Sequence, residues 1–331
     1  MTETRASNAG GWIFYGLLAL LFWLPVPYGS NLPWAVALMG VLATALLSLW
    51  LMLALARRVT IPASLGENRW MIVLWLAWLV WVAFQLIPLP YDTVQALSPF
   101  AAMQYLQSFP DAETGQWTLS INPGRSYQLL LQSCSYFALY LLVLLTASSR
   151  ERLWLLAGLI VISGLAQALY GSLMVLSGAE YSFLAKKTEY LGNATGTFIN
   201  RNHLAGYLEI CAAVGVGLVV SDLRAGASGN WRIWLRNLTE LAFSRKLRVR
   251  VFVSVMVIAL VMTRSRMGNT AFFASLLLCG TTYIFLRERR LFLRSLLLFA
   301  SFLIVDLLIV SNWFGLEKVV ERVEQTEAAT E

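Results

Sequence analysis

An all-α integral membrane protein is the fold class this sequence predicts, and three observations predict it. Hydrophobic residues fill 58% of the 331 positions and charged residues only 13%, too little polar surface to cover a soluble globule of this size. Apolar runs approaching 20 residues, the length that crosses about 30 Å of hydrocarbon as a helix, recur along the chain. Thirteen Trp and twelve Tyr suit the headgroup level, where amphipathic rings collect.

Taken in order, the candidate spans are nine: residues 12–27, 33–56, 70–89, 127–147, 153–176, 203–221, 251–262, 270–286 and 291–311. The first is preceded only by Arg5 and lacks an Ala-x-Ala cleavage pattern, so it is expected to be retained. The seventh is short and must continue into its flanks. With the N-terminus in the cytoplasm, seventeen of the 25 basic residues fall on the inner side, as the positive-inside rule requires. Lys186, Lys187, Arg201, Arg264 and Arg266 oppose that trend on the outer side.

Between spans, residues 91–126 form the first sizeable outer loop, with 91–109 at loosely helical spacing along the membrane surface. Asn122-Pro123-Gly124 reads as a turn, with Gly at a positive-φ position. On the inner side Trp231, Trp234, Leu235, Leu238 and Leu241 recur at helical spacing before the basic run 245–250. This is either an interfacial amphipathic helix on anionic lipid or a plain topology anchor. The domain organisation expected is one polytopic membrane domain over 1–316. Residues 317–331 then look like the start of an outer loop, cut short.

The formal charge of +7 does not point to nucleic acid, because the basic residues are scattered between apolar spans. Cys134, Cys211 and Cys279 fall inside apolar runs without a CxxC and read as small buried hydrophobes. His203 is the single histidine, and no Asp or Glu cluster has ligand spacing, so neither a metal nor a cofactor is expected. There is no Walker loop, dinucleotide fingerprint or serine elbow.

Chemistry concentrates in 195–209, TGTFINRNHLAGYLE, and 263–270, TRSRMGNT. Ionisable side chains near hydrocarbon are costly, and those kept there are functional candidates. A helix starting near Asn202, with Asn202 as its cap, puts Asn202 and Glu209 on one face with Gly206 between them. Glu209 then lies about 10 Å below the surface and needs a partner or a proton. Two roles stand for it, an interhelical salt bridge to Arg264 or Arg266 and a catalytic one. His203 is a capping or interface residue, or a general base. In an extended turn Arg264 and Arg266 point to one side and converge on one anion, phosphate above all, since the guanidinium fork donates paired hydrogen bonds. The alternative is headgroup snorkelling. Asp306 is a further intramembrane acid.

GTFINRNHLAGYL, followed some sixty residues later by TRSRMG and preceded by WTLSINPGRS, resembles the O-antigen ligase and Wzy-type O-antigen polymerase family of bacterial inner-membrane proteins. The resemblance implies a metal-independent membrane glycosyltransferase. Its donor is a glycan on undecaprenyl diphosphate at the periplasmic face, its acceptor another glycan or the lipid A core, and its surroundings membrane lipids. It also implies that Arg266 contacts the carrier diphosphate, with Arg264, Arg201, Asn200 and Asn202 in support and Glu209 or His203 on the acceptor side. Met267 stands where the family commonly has Gly. Family members continue into a large periplasmic loop with a functional His and Arg and further spans, so a chain ending at Glu331 is expected to be incomplete. The rival expectations are a non-enzymatic transporter or flippase of lipid-linked glycans, and an inactive fragment.

Overall fold

The computed structural model describes residues 2–221 and 245–286. The expected span 291–311 with Asp306, the amphipathic stretch 231–241 and the segment 317–331 lie outside the described residues. What is described is overwhelmingly helical, with α1 (Thr2–Trp23), α2 (Pro33–Leu55), α3 (Ala63–Glu67), α4 (Arg69–Phe84), α5 (Tyr91–Leu97), α6 (Pro99–Ser108), α7 (Pro123–Thr146), α8 (Arg150–Ser177), α9 (Arg201–Ser221), α10 (Arg245–Met262) and α11 (Arg266–Leu286). Two short antiparallel pairs, β1 (Leu89–Pro90) with β2 (Gln116–Trp117) and β3 (Tyr181–Ser182) with β4 (Ala185–Lys186), pin loops.

Among the described residues, four helices are long and apolar enough to cross a membrane: Pro33–Leu55, Pro123–Thr146, Arg150–Ser177 and Arg201–Ser221. Gly10–Trp23 and Arg69–Phe84 are apolar and shorter. α4 carries the physical argument for a bilayer. It has no buried residue, and Trp70, Leu74, Trp78, Val80 and Trp81 are all more than half exposed. Each such side chain left in water forgoes about 1.5–3 kcal/mol, so α4 alone would spend much of a domain's stability in water. In lipid the same surface is at home. This is a helical membrane protein.

The chain packs as two units, the first drawn from Met1–Leu21 and Leu32–Leu153, the second from Phe22–Asn31 and Trp154–Glu331. In the first, α7 is the central helix, flanked by α2, α4 and the short α3. Gly40 of α2 admits the Ser135 hydroxyl of α7, and Trp75 of α4 stacks on Tyr140 at 5.3 Å. Residues 91–112 fold on their own core of Tyr91, Val94, Ala101, Ala102, Tyr105 and Ala112. Trp117 stacks on Tyr105 at 4.5 Å and donates its indole N–H to the Ala112 carbonyl at 2.7 Å. The expected turn at Asn122-Pro123-Gly124 is instead the start of α7. The Asn122 side chain accepts the Arg125 N–H at 3.1 Å and Pro123 takes the first helical position, where its missing N–H costs nothing.

In the second unit α9 packs between α10 and α11 around Leu204, Leu208, Cys211, Met256, Leu260 and Phe272. α8 meets α9 where Gly164 faces Cys211 and Met256 and where the Tyr207 hydroxyl bonds Ser163 Oγ at 2.7 Å. The short seventh span lengthens at its N-terminal end, so the basic run 245–250 is the opening of α10. Only Cys211 is buried among the three free cysteines; Cys134 and Cys279 face outward, contrary to the expectation of three buried thiols.

Candidate functional site

The corner between α10 and α11 and the start of α9 meet in one open groove of about 620 Å³, lined by Arg201, Asn202, Gly206, Glu209, Ser265, Arg266, Met267, Gly268 and Ala271. Thr263 closes α10, its hydroxyl donating to the Leu260 carbonyl at 2.6 Å and accepting the Ser265 N–H at 3.1 Å. Arg264 then takes a left-handed backbone, φ +52°, which reverses the chain. Ser265, almost fully buried, caps α11 by accepting the Gly268 N–H at 3.2 Å. The first turn of α11 therefore lines the groove, and a helix start presents unpaired N–H groups and positive potential to an anion. Gly268 is required here, because a Cβ would sit 2.7 Å from Ala205 Cβ and 3.1 Å from Glu209 Oε1.

On the facing side α9 begins at Arg201, one residue before the expected start. Its cap is Asn200, whose Oδ1 accepts the Asn202 N–H at 2.8 Å; the expectation that Asn202 caps the helix is corrected. Asn202 is thereby released to the groove, together with Gly206 and Glu209 two turns on. The expected extended turn is also corrected. Arg264 sits at the left-handed reversal while Arg266 opens α11, and only Arg266 lines the groove. His203 is exposed on α9 outside the lining set.

Among the described residues the one ion pair is Glu180 with Lys187, 2.6 Å apart. Glu209, Arg201, Arg264 and Arg266 have no opposite charge within ion-pair distance there, which removes the expected salt bridge of Glu209 to either arginine among the described residues. Arg201 is held by neutral groups instead. It donates to Asn193 Oδ1 at 3.3 Å and lies 5.6 Å over the Tyr190 ring. Among the described residues, no three His, Cys, Asp or Glu side chains gather as metal ligands would.

The loop 178–200 that carries Asn193 and Tyr190 is built, not slack. Lys187 Nζ bridges Glu180 and the Asn193 carbonyl at 2.6 and 2.8 Å, and the second Glu180 oxygen accepts the Gly192 N–H at 2.7 Å. Burial alone would push the Glu180 carboxyl up. The Lys187 ammonium and the Gly192 N–H outweigh burial and hold it below its ordinary 4.5. The Ala194 N–H donates to the last carbonyl of α10, on Met262, at 2.9 Å. Gly196, at φ +56°, leaves room for Gln167 Oε1, which accepts both the N–H and the hydroxyl of Thr197 at 3.0 and 3.1 Å.

Glu180, Tyr190, Asn193 and Gln167 were not marked by the sequence. The available signal was the acid Glu180 seven residues before Lys187, itself a cation on the wrong side of the charge trend, within a stretch punctuated by Gly178, Gly192 and Gly196.

Below the groove a second cavity of about 410 Å³ runs between α9 and α11, lined by Ile210, Ala213, Val216, Gly217, Val220, Phe272, Ser275, Leu276 and Cys279, with Glu209 shared between the two. The arrangement is a polar, cationic mouth opening on an apolar furrow. Comparison of the chain with protein-family models, with curated proteins and with solved structures returned no match.

Proposed function

We propose that this protein binds a polyprenyl diphosphate carrying a glycan, and that it takes part in transfer of that glycan to a hydroxyl acceptor. The single observation that supports this reading is Glu209, common to the cationic groove and the apolar furrow. A ligand with a multiply charged head and a long hydrocarbon tail matches both cavities at once. Arg201, Arg266 and the first turn of α11 would hold the diphosphate, whose negative charge grows as the glycosyl bond breaks. The Arg201 guanidinium, held by Asn193 and Tyr190, and the helix N–H groups would stabilise that charge with little reorganisation. Asn202 would orient the head. Glu209 is the group placed to accept the proton of the acceptor hydroxyl as its oxygen bonds the anomeric carbon and the diphosphate departs. The position of His203 outside the groove leaves this role to Glu209.

The finer topology belongs to the same proposal: nine spans, the N-terminus in the cytoplasm, and the groove on the periplasmic side of a bacterial inner membrane. So does membership of the O-antigen ligase and Wzy-type polymerase family, which rests on GTFINRNHLAGYL and TRSRMG. Arg264, Asn200 and Met267 are assigned supporting places, at the reversal, at the α9 cap and in the α11 first turn.

Photo-crosslinking tests the reading. A polyprenyl diphosphate with a diazirine in its tail, incorporated in nanodiscs with the protein, is expected to label peptides containing Ile210, Ala213, Phe272 and Leu276. Labelling spread evenly over lipid-facing helices such as α4 would refute a furrow site. Movement of labelled carrier lipid across proteoliposomes, without any bond to an acceptor, would favour a transporter.

A further inference from the structure

At the far end of α2 in the first unit, three arginines converge on a cavity that the proposed transfer does not use. Arg57, Arg58 and Arg152 line about 310 Å³ together with Gly10, Trp50, Val59, Thr60, Leu145 and Ser148. The local chain is shaped to bring them there. α2 ends in a paired-carbonyl cap: the Arg57 N–H donates to Ala54 at 2.9 Å and the Arg58 N–H to Leu53 at 2.8 Å. That cap needs a left-handed residue, normally glycine, yet the position is occupied by Arg57 at φ +56°. A side chain there is sterically costly, and what it gains is a guanidinium at the rim.

Arg152 is placed from the other side. Its N–H is capped by Ser149 Oγ at 3.2 Å, its Nη1 donates to the Thr146 carbonyl at 2.8 Å, and its guanidinium lies 5.3 Å over the Phe14 ring. A Cβ at Gly11 of α1 would stand 4.0 Å from the other Arg152 nitrogen, Nη2, an ordinary contact. Among the residues whose side chains are described, the remaining donors of Arg152 and the exposed heads of Arg57 and Arg58 face a cavity that no carboxylate lines. Trp50 and Leu145, both buried, form its floor, and the Thr60 and Ser148 hydroxyls stand at its edge.

Two spanning helices, α2 and α7, end at this level, so the cavity opens where headgroups lie. Three guanidiniums over an apolar floor, with no counter-charge among the described side chains, are a phosphate-recognition geometry, and basic pockets between helix ends take anionic lipid heads. We infer that Arg57, Arg58 and Arg152 form a second anion site, which binds the phosphate of an anionic membrane phospholipid. The site is independent of the glycan-transfer reading and stands or falls without it.

The test uses the full chain in neutral detergent, with thermal unfolding followed by Trp fluorescence and retained lipid counted by native mass spectrometry. Phosphatidylglycerol, phosphatidylcholine and inorganic phosphate are added separately. Wild-type protein is expected to retain phosphatidylglycerol and melt higher with it, and to ignore phosphatidylcholine. The R57K/R58K double variant keeps charge and topology but loses both forks; it should bind phosphatidylglycerol about tenfold more weakly. R57Q/R58Q should weaken it further. Both residues are exposed, so melting without lipid should be unchanged. R69Q, at an exposed arginine outside the cavity, should respond as wild type. Stabilisation by inorganic phosphate as well, lost in the same double variants, would show that the site also takes phosphate from solution. Equal phosphatidylglycerol binding by wild type and both double variants, no binding at all, or an equal loss in R69Q would overturn the proposal.

Discussion

Arg201 owes its position to residues that never touch the groove. Asn193 accepts from it, Tyr190 lies under it, and Lys187 holds the Asn193 carbonyl while Glu180 holds Lys187. The Glu180 carboxyl titrates below its ordinary 4.5 in the folded protein. Its contribution is therefore complete above that value and is lost as pH falls through the lower folded value. Protection of residues 187–194 against hydrogen exchange, relative to the intrinsic rate at each pH, should fall in the wild type as the pH drops below the ordinary 4.5 of the carboxyl. In E180Q protection should already be low at neutral pH and show no such acid step. Exchange indifferent to both would mean that the pair does not clamp the loop. The clustering of Arg201, Arg264 and Arg266 in the two stretches 195–209 and 263–270 was legible in the sequence. Which of them share a groove was not, because a left-handed residue at 264 separates two side chains that an extended turn would have aligned.

At the scale of elements, the site depends on how closely α11 approaches α9. Gly268 makes that approach possible and Ser265 fixes where α11 starts. Gly268→Val places branched carbon against Ala205 and beside Glu209, an overpacking expected to cost about 1–3 kcal/mol. A lowered melting temperature together with weakened carrier binding is the expected result, read by thermal unfolding and a binding assay on the same sample. Unaltered melting would show that the two helices are not tightly apposed there. Helix existence was legible from apolar runs, since each run buries or exposes hydrocarbon whatever its neighbours are. Helix ends were less so. The start of α7 was taken for a turn because Asn-Pro-Gly suits both a turn and a capped helix N-terminus, and the extension of α10 back to Arg245 runs through a stretch where four basic residues interrupt the apolar run of Leu247 and Val249.

For the whole molecule, composition announced the bilayer, and α4, apolar along most of its length with no fully buried residue, is the physical reason the inference holds. The small core around Tyr105 and Trp117 was beyond sequence reading, because its contacts join residues from two helices and a strand through aromatic stacking. The account as a whole rests on one claim, that the groove holding Arg201 and Arg266 receives a lipid-linked diphosphate. The most direct measurement is equilibrium binding of undecaprenyl diphosphate to the protein in nanodiscs, with R201A and R266A beside the wild type and undecaprenol as the uncharged control. Each arginine that bonds the diphosphate should be worth about 1.5–3 kcal/mol, or roughly 10- to 100-fold in affinity, and undecaprenol should bind weakly to all three. Equal affinity of wild type and both variants for the diphosphate would contradict the account.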